Sequence, residues 1–337
     1  MHRRDFGRLV AGSAATLALS RINGCTPPAP STRSSAPPVR DRGLRQRGVA
    51  QVVESRSTRE GAGFPVHRPF PTPTLALMDP FVLLDEFGPV DWAPGEAVGA
   101  PDHPHRGFET VTYMIEGVNQ HADSLGNHGR LDPGDVQWMT AGSGIVHAEL
   151  PSDQIVREGG RTHGFQLWVN LPARSKLVPP RYQEVPGRGI PLAASADGRA
   201  RARVIAGDAL GVHAVIDTHT PIQYQHWILE PGARVDHDVR ADHNVSAFVF
   251  RGRAALGEEA RAVNEYELAV FGDGDRVRLA VPRDAERSCE LMLMAGVPLR
   301  EPVARWGPFV MNTDEEIRQA IADYRSGRMG RIPGSEG

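Results

Sequence analysis

His103-Pro104-His105-Arg106-Gly107-Phe108-Glu109 and Gly144-Ile145-Val146-His147-Ala148-Glu149 bracket the stretch that decides the fold of this chain. On an extended backbone successive side chains alternate faces, so His103 and His105 point the same way, and His147 and Glu149 repeat the arrangement. Two neighbouring strands that each turn such a pair toward one interior build a site of three imidazoles and one carboxylate. A lone His-x-His is a common surface pattern, and the second pair is what gives the spacing its specificity. No thiolate takes part.

Between the pairs the chain reads as strand, turn, strand. Phe108 to Ile115 is rich in β-branched and aromatic residues and stops at Glu116-Gly117. His121 to Gly129 is polar, with Gly and Asn residues suited to tight turns, and Leu131 to Met139 is a turn feeding another strand. This order predicts a small antiparallel β-barrel.

The segments HPHRGFETVTY, DSLGNHGRLDPGDVQWMTAGSGIVHAE, GFQLWVNLP and GPFVMNTDEEIRQAI resemble the pirin family of the cupin superfamily, over residues 48–326. The resemblance implies an all-β bicupin: two double-stranded β-helix (jelly-roll) barrels, a short C-terminal helix and one mononuclear metal, usually iron as Fe(II), in the first barrel. By position it makes His103, His105, His147 and Glu149 the metal ligands. Glu109 occupies the carboxylate place of the general cupin pattern and stands as a competing ligand. Imidazole and carboxylate ligands also accept Mn, Co, Ni, Cu or Zn.

The resemblance further implies a quercetin 2,3-dioxygenase-like oxidoreductase, acting with dioxygen on a flavonol or a related enol or catechol, with Glu149 as the base. Its alternative is the eukaryotic role of the family, a redox-responsive transcription co-regulator without turnover. A structural metal in a barrel is a third reading.

Residues 1–25 read as an export signal. Met1-His2-Arg3-Arg4-Asp5-Phe6 resembles a twin-arginine motif, and Leu9 to Ser20 is an apolar core shorter than the about 20 residues of a membrane-spanning helix. Ile22-Asn23-Gly24-Cys25 resembles a lipoprotein cleavage box, and cleavage after Ala18-Leu19-Ser20 is the alternative. Residues 26–47, rich in Pro, Ser, Ala and Arg, read as a flexible tether. The expected location is periplasmic, or membrane-anchored through a lipid on Cys25. Export would separate the chain from any transcription machinery and so favours the enzyme.

Once Cys25 is lipidated only Cys289 remains of the two cysteines, so no internal disulfide can form, and Cys289 lies in a strand-like apolar run. The 337 residues suffice for two lobes, 48–185 with the metal and 186–326 without it. The net charge of -3 offers no basic footprint for nucleic acid, and 36 Gly and 28 Pro suit a turn-rich β chain. The expected partners are a small aromatic substrate and dioxygen, and the chain is expected to be a monomer.

Val49 to Glu54, Phe81 to Phe87 and His163 to Leu171 read as first-lobe strands, the last with Phe165 and Trp168 on opposite faces, while Pro65 to Pro73 reads as a loop. In the second lobe Glu230 to His237 leads into no His-x-His. His237 and His243 therefore read as satisfied polar residues near a barrel mouth. Thr313-Asp314-Glu315-Glu316 is a capping box opening a helix with Ile317, Ala320, Ile321 and Tyr324 on one stripe.

Overall fold

The computed structural model describes residues 43–334. The export signal, Cys25 and most of the tether lie outside the described residues.

The alternating strand pattern resolves into two lobes built on one plan. In the first, a seven-stranded sheet runs in the order Arg181–Val185, Val136–Thr140, Phe108–Glu116, Gly160–Asn170, Phe81–Trp92, Phe64–Phe70, Arg56–Glu60. Its four-stranded sheet runs Ala100–His105, Ile145–Pro151, Asn119–Asp123, His128–Leu131. The second lobe has a seven-stranded sheet in the order Val49–Glu54, Glu267–Phe271, Asn244–Arg251, Cys289–Gly296, Ile222–Leu229, Ala200–Ala206, Leu192–Ala194. Its smaller sheet runs Arg234–Asp238, Arg276–Ala280, Arg253–Leu256, Arg261–Asn264. With the helix Asp314–Arg325, this is the expected all-β bicupin.

The two large sheets share one core. Val111, Tyr113, Phe165 and Leu167 from the first lobe meet Phe248, Phe250, Met292 and Met294 from the second. By the period of two, Thr112, Gln166 and Trp168 therefore face the first lobe's interior, and Phe165 and Trp168 do fall on opposite faces. In the second lobe the inward residues, among them Trp227, Ala247, Val249, Leu291 and Leu293, form a continuous apolar cluster that includes Cys289.

Several expectations need correction. Val49–Glu54, assigned above to the first domain, pairs with Glu267–Phe271 of the second lobe. A strand's sequence declares its faces but not its neighbour. Conversely, the hairpin of Ala304–Trp306 and Phe309–Met311 and the C-terminal helix, assigned to 186–326, pack on the first lobe, where Phe309, Met311, Ile317 and Ala320 join Val146 and Ala148. Gly107, at φ +89, permits this docking, because any Cβ there would strike Val310 O. Arg106 Nη1 pairs with Asp323 Oδ2 at 2.8 Å across the same contact.

Pro65 to Pro73 is not all loop, since Phe64–Phe70 is a strand. Pro65 sits near its start and Pro69 within a bulge between His67 and Phe70, where the ladder demands no donor. The polar segment from His121 likewise contains strand at both ends. The last tether residues are docked: the Arg47 guanidinium donates to Gly272 O at 2.9 Å and Arg240 O at 2.8 Å. Among the described residues no helix is long and apolar enough to cross a membrane.

Candidate metal centre

The strand pair Ala100–His105 and Ile145–Pro151 sets the site. His147 lies opposite His103, and a register shift before Glu149 brings that residue against Ala100. The ring nitrogens of His103, His105 and His147 lie within 4.8 Å of one another, as a metal-ligating group requires. His103 Nε2 is 3.0 Å from His105 Nε2 and 3.0 Å from His147 Nε2.

The opposite ring nitrogens explain that convergence. His103 Nδ1 lies 2.7 Å from Pro101 O and His105 Nδ1 lies 3.3 Å from Pro308 O. A carbonyl only accepts, so each Nδ1 carries the proton and each Nε2 presents a lone pair to the shared centre. Lone pairs facing one another at 3.0 Å repel unless a cation stands among them. Burial first, and then the neighbouring His103 imidazole, which disfavours a second proton beside it, push the pKa of both His105 and His147 well below the usual imidazole range. Neutral imidazole is the form a metal takes. These residues fit a metal.

Glu149 stands beside the three imidazoles, with Oε2 3.9 Å from His147 Nε2. Thr112 Oγ1 donates to its Oε1 at 2.7 Å, and Gln166 Nε2 donates to Oε2 at 2.9 Å. Sequence reasoning missed both Thr112 and Gln166. Their signal was the period of two, which puts Thr112 on the face of Phe108 and Gln166 on that of Trp168.

Glu109, the rival carboxylate, lies on the opposite face of its strand and is absent from the imidazole group. Its Oε1 accepts from Thr140 Oγ1 at 2.7 Å, and burial raises its pKa to about 7. In the second lobe His237 Nε2 is satisfied by Gln223 Oε1 at 2.8 Å, whereas neither ring nitrogen of His243 has a hydrogen-bond partner, against expectation. Cys289 is a buried core residue whose pKa burial raises to about 12.

His103, His105 and Glu149 open onto a cavity of about 570 Å³, in the size range of small-molecule sites. Trp168 and Phe108, with ring centres 4.3 Å apart, flank His105.

Family models agree with this architecture: Pirin matches residues 63–169, and the Pirin C-terminal cupin domain matches residues 224–330. Human Pirin is 43% identical over 285 residues, covering 84% of this chain and 93% of its own. The chain belongs to the pirin family. A crystal structure of quercetin 2,3-dioxygenase from Acinetobacter baumannii is similar at a TM-score of 0.79 and 33% identity, covering 86% of this chain and 100% of that one. The bacterial pirin YhhW from Escherichia coli, solved in complex with nickel(II), shares the fold at a TM-score of 0.53 and 20% identity, covering 76% of this chain and 99% of its own.

Proposed function

We propose that this pirin is a mononuclear metal-dependent dioxygenase of flavonols or related enol and catechol substrates, with His103, His105, His147 and Glu149 as ligands and Fe(II) as the metal. The observation that carries the reading is that Glu149, His103 and His105 line one pocket of substrate size, with His147 buried directly behind them. The resemblance to a quercetin 2,3-dioxygenase supports it. A bound Fe(II) would supply electrons for dioxygen and positive charge for an ionised enol.

The chain's own residues supply the rest. Glu149 takes the substrate hydroxyl proton on its carboxylate. Thr112 and Gln166 fix the direction in which that carboxylate points. Pro101 O and Pro308 O hold two imidazoles in the tautomer that faces the centre. Trp168, backed by the buried Phe108, provides an apolar wall for an aromatic ring.

The test is oxygen uptake by iron-loaded protein with a panel of flavonols and catechols. Glu149→Gln should lower uptake by more than the roughly 10-fold to 100-fold of outer-sphere changes while keeping at least part of the metal. No uptake with any member of the panel would overturn the reading. The export reading of residues 1–25 belongs to the same proposal: Arg3→Lys with Arg4→Lys should retain the precursor in the cytoplasm, and Cys25→Ser should abolish lipid labelling.

A further inference from the structure

Two guanidinium groups line the pocket, and their surroundings differ. Arg68 is neutralised, its Nη2 lying 2.6 Å from Glu60 Oε1 and 2.5 Å from Asp85 Oδ2. Arg305 forms no ion pair with any carboxylate among the described residues. Among the described residues its one hydrogen bond runs from Nη1 to Val82 O at 3.2 Å, and its Cζ lies 4.9 Å from the centre of the Trp168 ring. The residue is exposed and lines the pocket, so the other donors of the five-donor fork are open to a ligand. Packing against protein, and then the charge of Arg68, lower its pKa below the ordinary guanidinium value despite the pull of Asp85 and Glu60. The cation is under-compensated.

A plain structural role does not account for these features. One donor to one carbonyl needs no guanidinium, and the segment is already tied down by Lys176, whose Nζ donates to Val310 O at 2.9 Å and to Gly107 O at 2.8 Å. A planar fork stacked on an indole matches a carboxylate in geometry and charge. Trp168 also packs edge-on to His105 at 5.1 Å, so a single indole separates the fork from the imidazole cluster.

We propose that Arg305 is a specificity-determining residue that selects hydroxylated aromatic carboxylates, with the ring beside the part-exposed edge of Trp168, the hydroxyl toward Glu149 and the imidazoles, and the carboxylate on the guanidinium. This names a substrate class for the pocket read above as an oxygenase site, and it rests on that reading only in calling the ligand a substrate.

The experiment titrates metal-loaded full chain, under nitrogen so that nothing turns over, with 3,4-dihydroxybenzoate and with its methyl ester, following tryptophan fluorescence. The acid should bind about 10-fold or more tighter than the ester, the scale of one charge-assisted hydrogen bond. Arg305→Gln should abolish that preference and leave ester affinity within about 2-fold, and Arg305→Lys should restore part of it. Equal binding of acid and ester by the unaltered protein, or a preference that survives Arg305→Gln, overturns the proposal. Oxygen uptake on the same samples in air separates the two readings. An acid preference without uptake defeats the oxygenase and upholds Arg305, and uptake without acid preference does the reverse.

Discussion

The interiors of the two lobes differ far more than their frameworks. Each lobe pairs a seven-stranded with a four-stranded sheet. In the first, two adjacent strands of the small sheet turn His103, His105, His147 and Glu149 inward. In the second, the strand pair at the same place in the sheet order sets Val235 opposite Leu279 and His237 opposite Val277. Val235, Val277 and Leu279 belong to the apolar cluster, and His237 is bonded to Gln223. One barrel wall thus serves either as a ligand frame or as packing. The choice is made by a few inward side chains, because the ladder is held by backbone bonds that any of them permits.

The largest expected effect sharpens this contrast directly. His105→Ala should remove nearly all bound metal and His237→Ala none, as read by elemental analysis of purified protein. Loss of metal on changing His237 would break the assignment of function to the first lobe. Leu279→Ala should behave in the opposite way, lowering stability by about 2–5 kcal/mol through a cavity while metal content stays the same. Denaturant midpoints and metal content measured together would check it.

Thr112→Val keeps the shape and removes the donor that fixes Glu149. Its expected effect is a loss of oxygen uptake of about 10-fold, with full metal content. The smallest effect concerns Glu109, at the layer between the lobes. Its folded pKa of about 7 lies above the ordinary 4.5, so the folded state holds a proton that the unfolded chain has released. This contribution is therefore fully present below about pH 4.5 and is lost as pH rises through about 7. Glu109→Gln should leave stability unchanged near pH 4 and raise it by on the order of 2 kcal/mol at pH 8. A variant equally destabilised at both pH values would contradict that account.

The three imidazoles were legible because the period of two is local: His103 and His105 declare their shared face without reference to the rest of the chain. Glu149 was legible as a neighbour of the site, but its hydrogen bonds to Thr112 and Gln166 come from two strands of the other sheet, and no spacing in the sequence encodes that meeting. Pro308 and Arg305 were illegible for a stronger reason. They follow the whole second lobe in the chain and return to the first, a crossing that depends on the tertiary packing of Phe309, Met311 and Ile317. The misplacement of Val49–Glu54 has the same cause, since its alternation fits either large sheet equally well.

The return of the C-terminal segment to the first lobe also sets an order of events during synthesis. His105 is oriented by Pro308, and Lys176 and Arg106 wait for Val310 and Asp323, so the histidine pocket lacks a wall until the ribosome has delivered the helix Asp314–Arg325. A nascent chain halted after the first lobe would carry all three histidines and still present a half-built centre. The histidine cluster is therefore complete only once the segment after Gly296 has docked, and a proteolytic clip that freed this segment is expected to reopen the pocket while leaving His103, His105 and His147 in place.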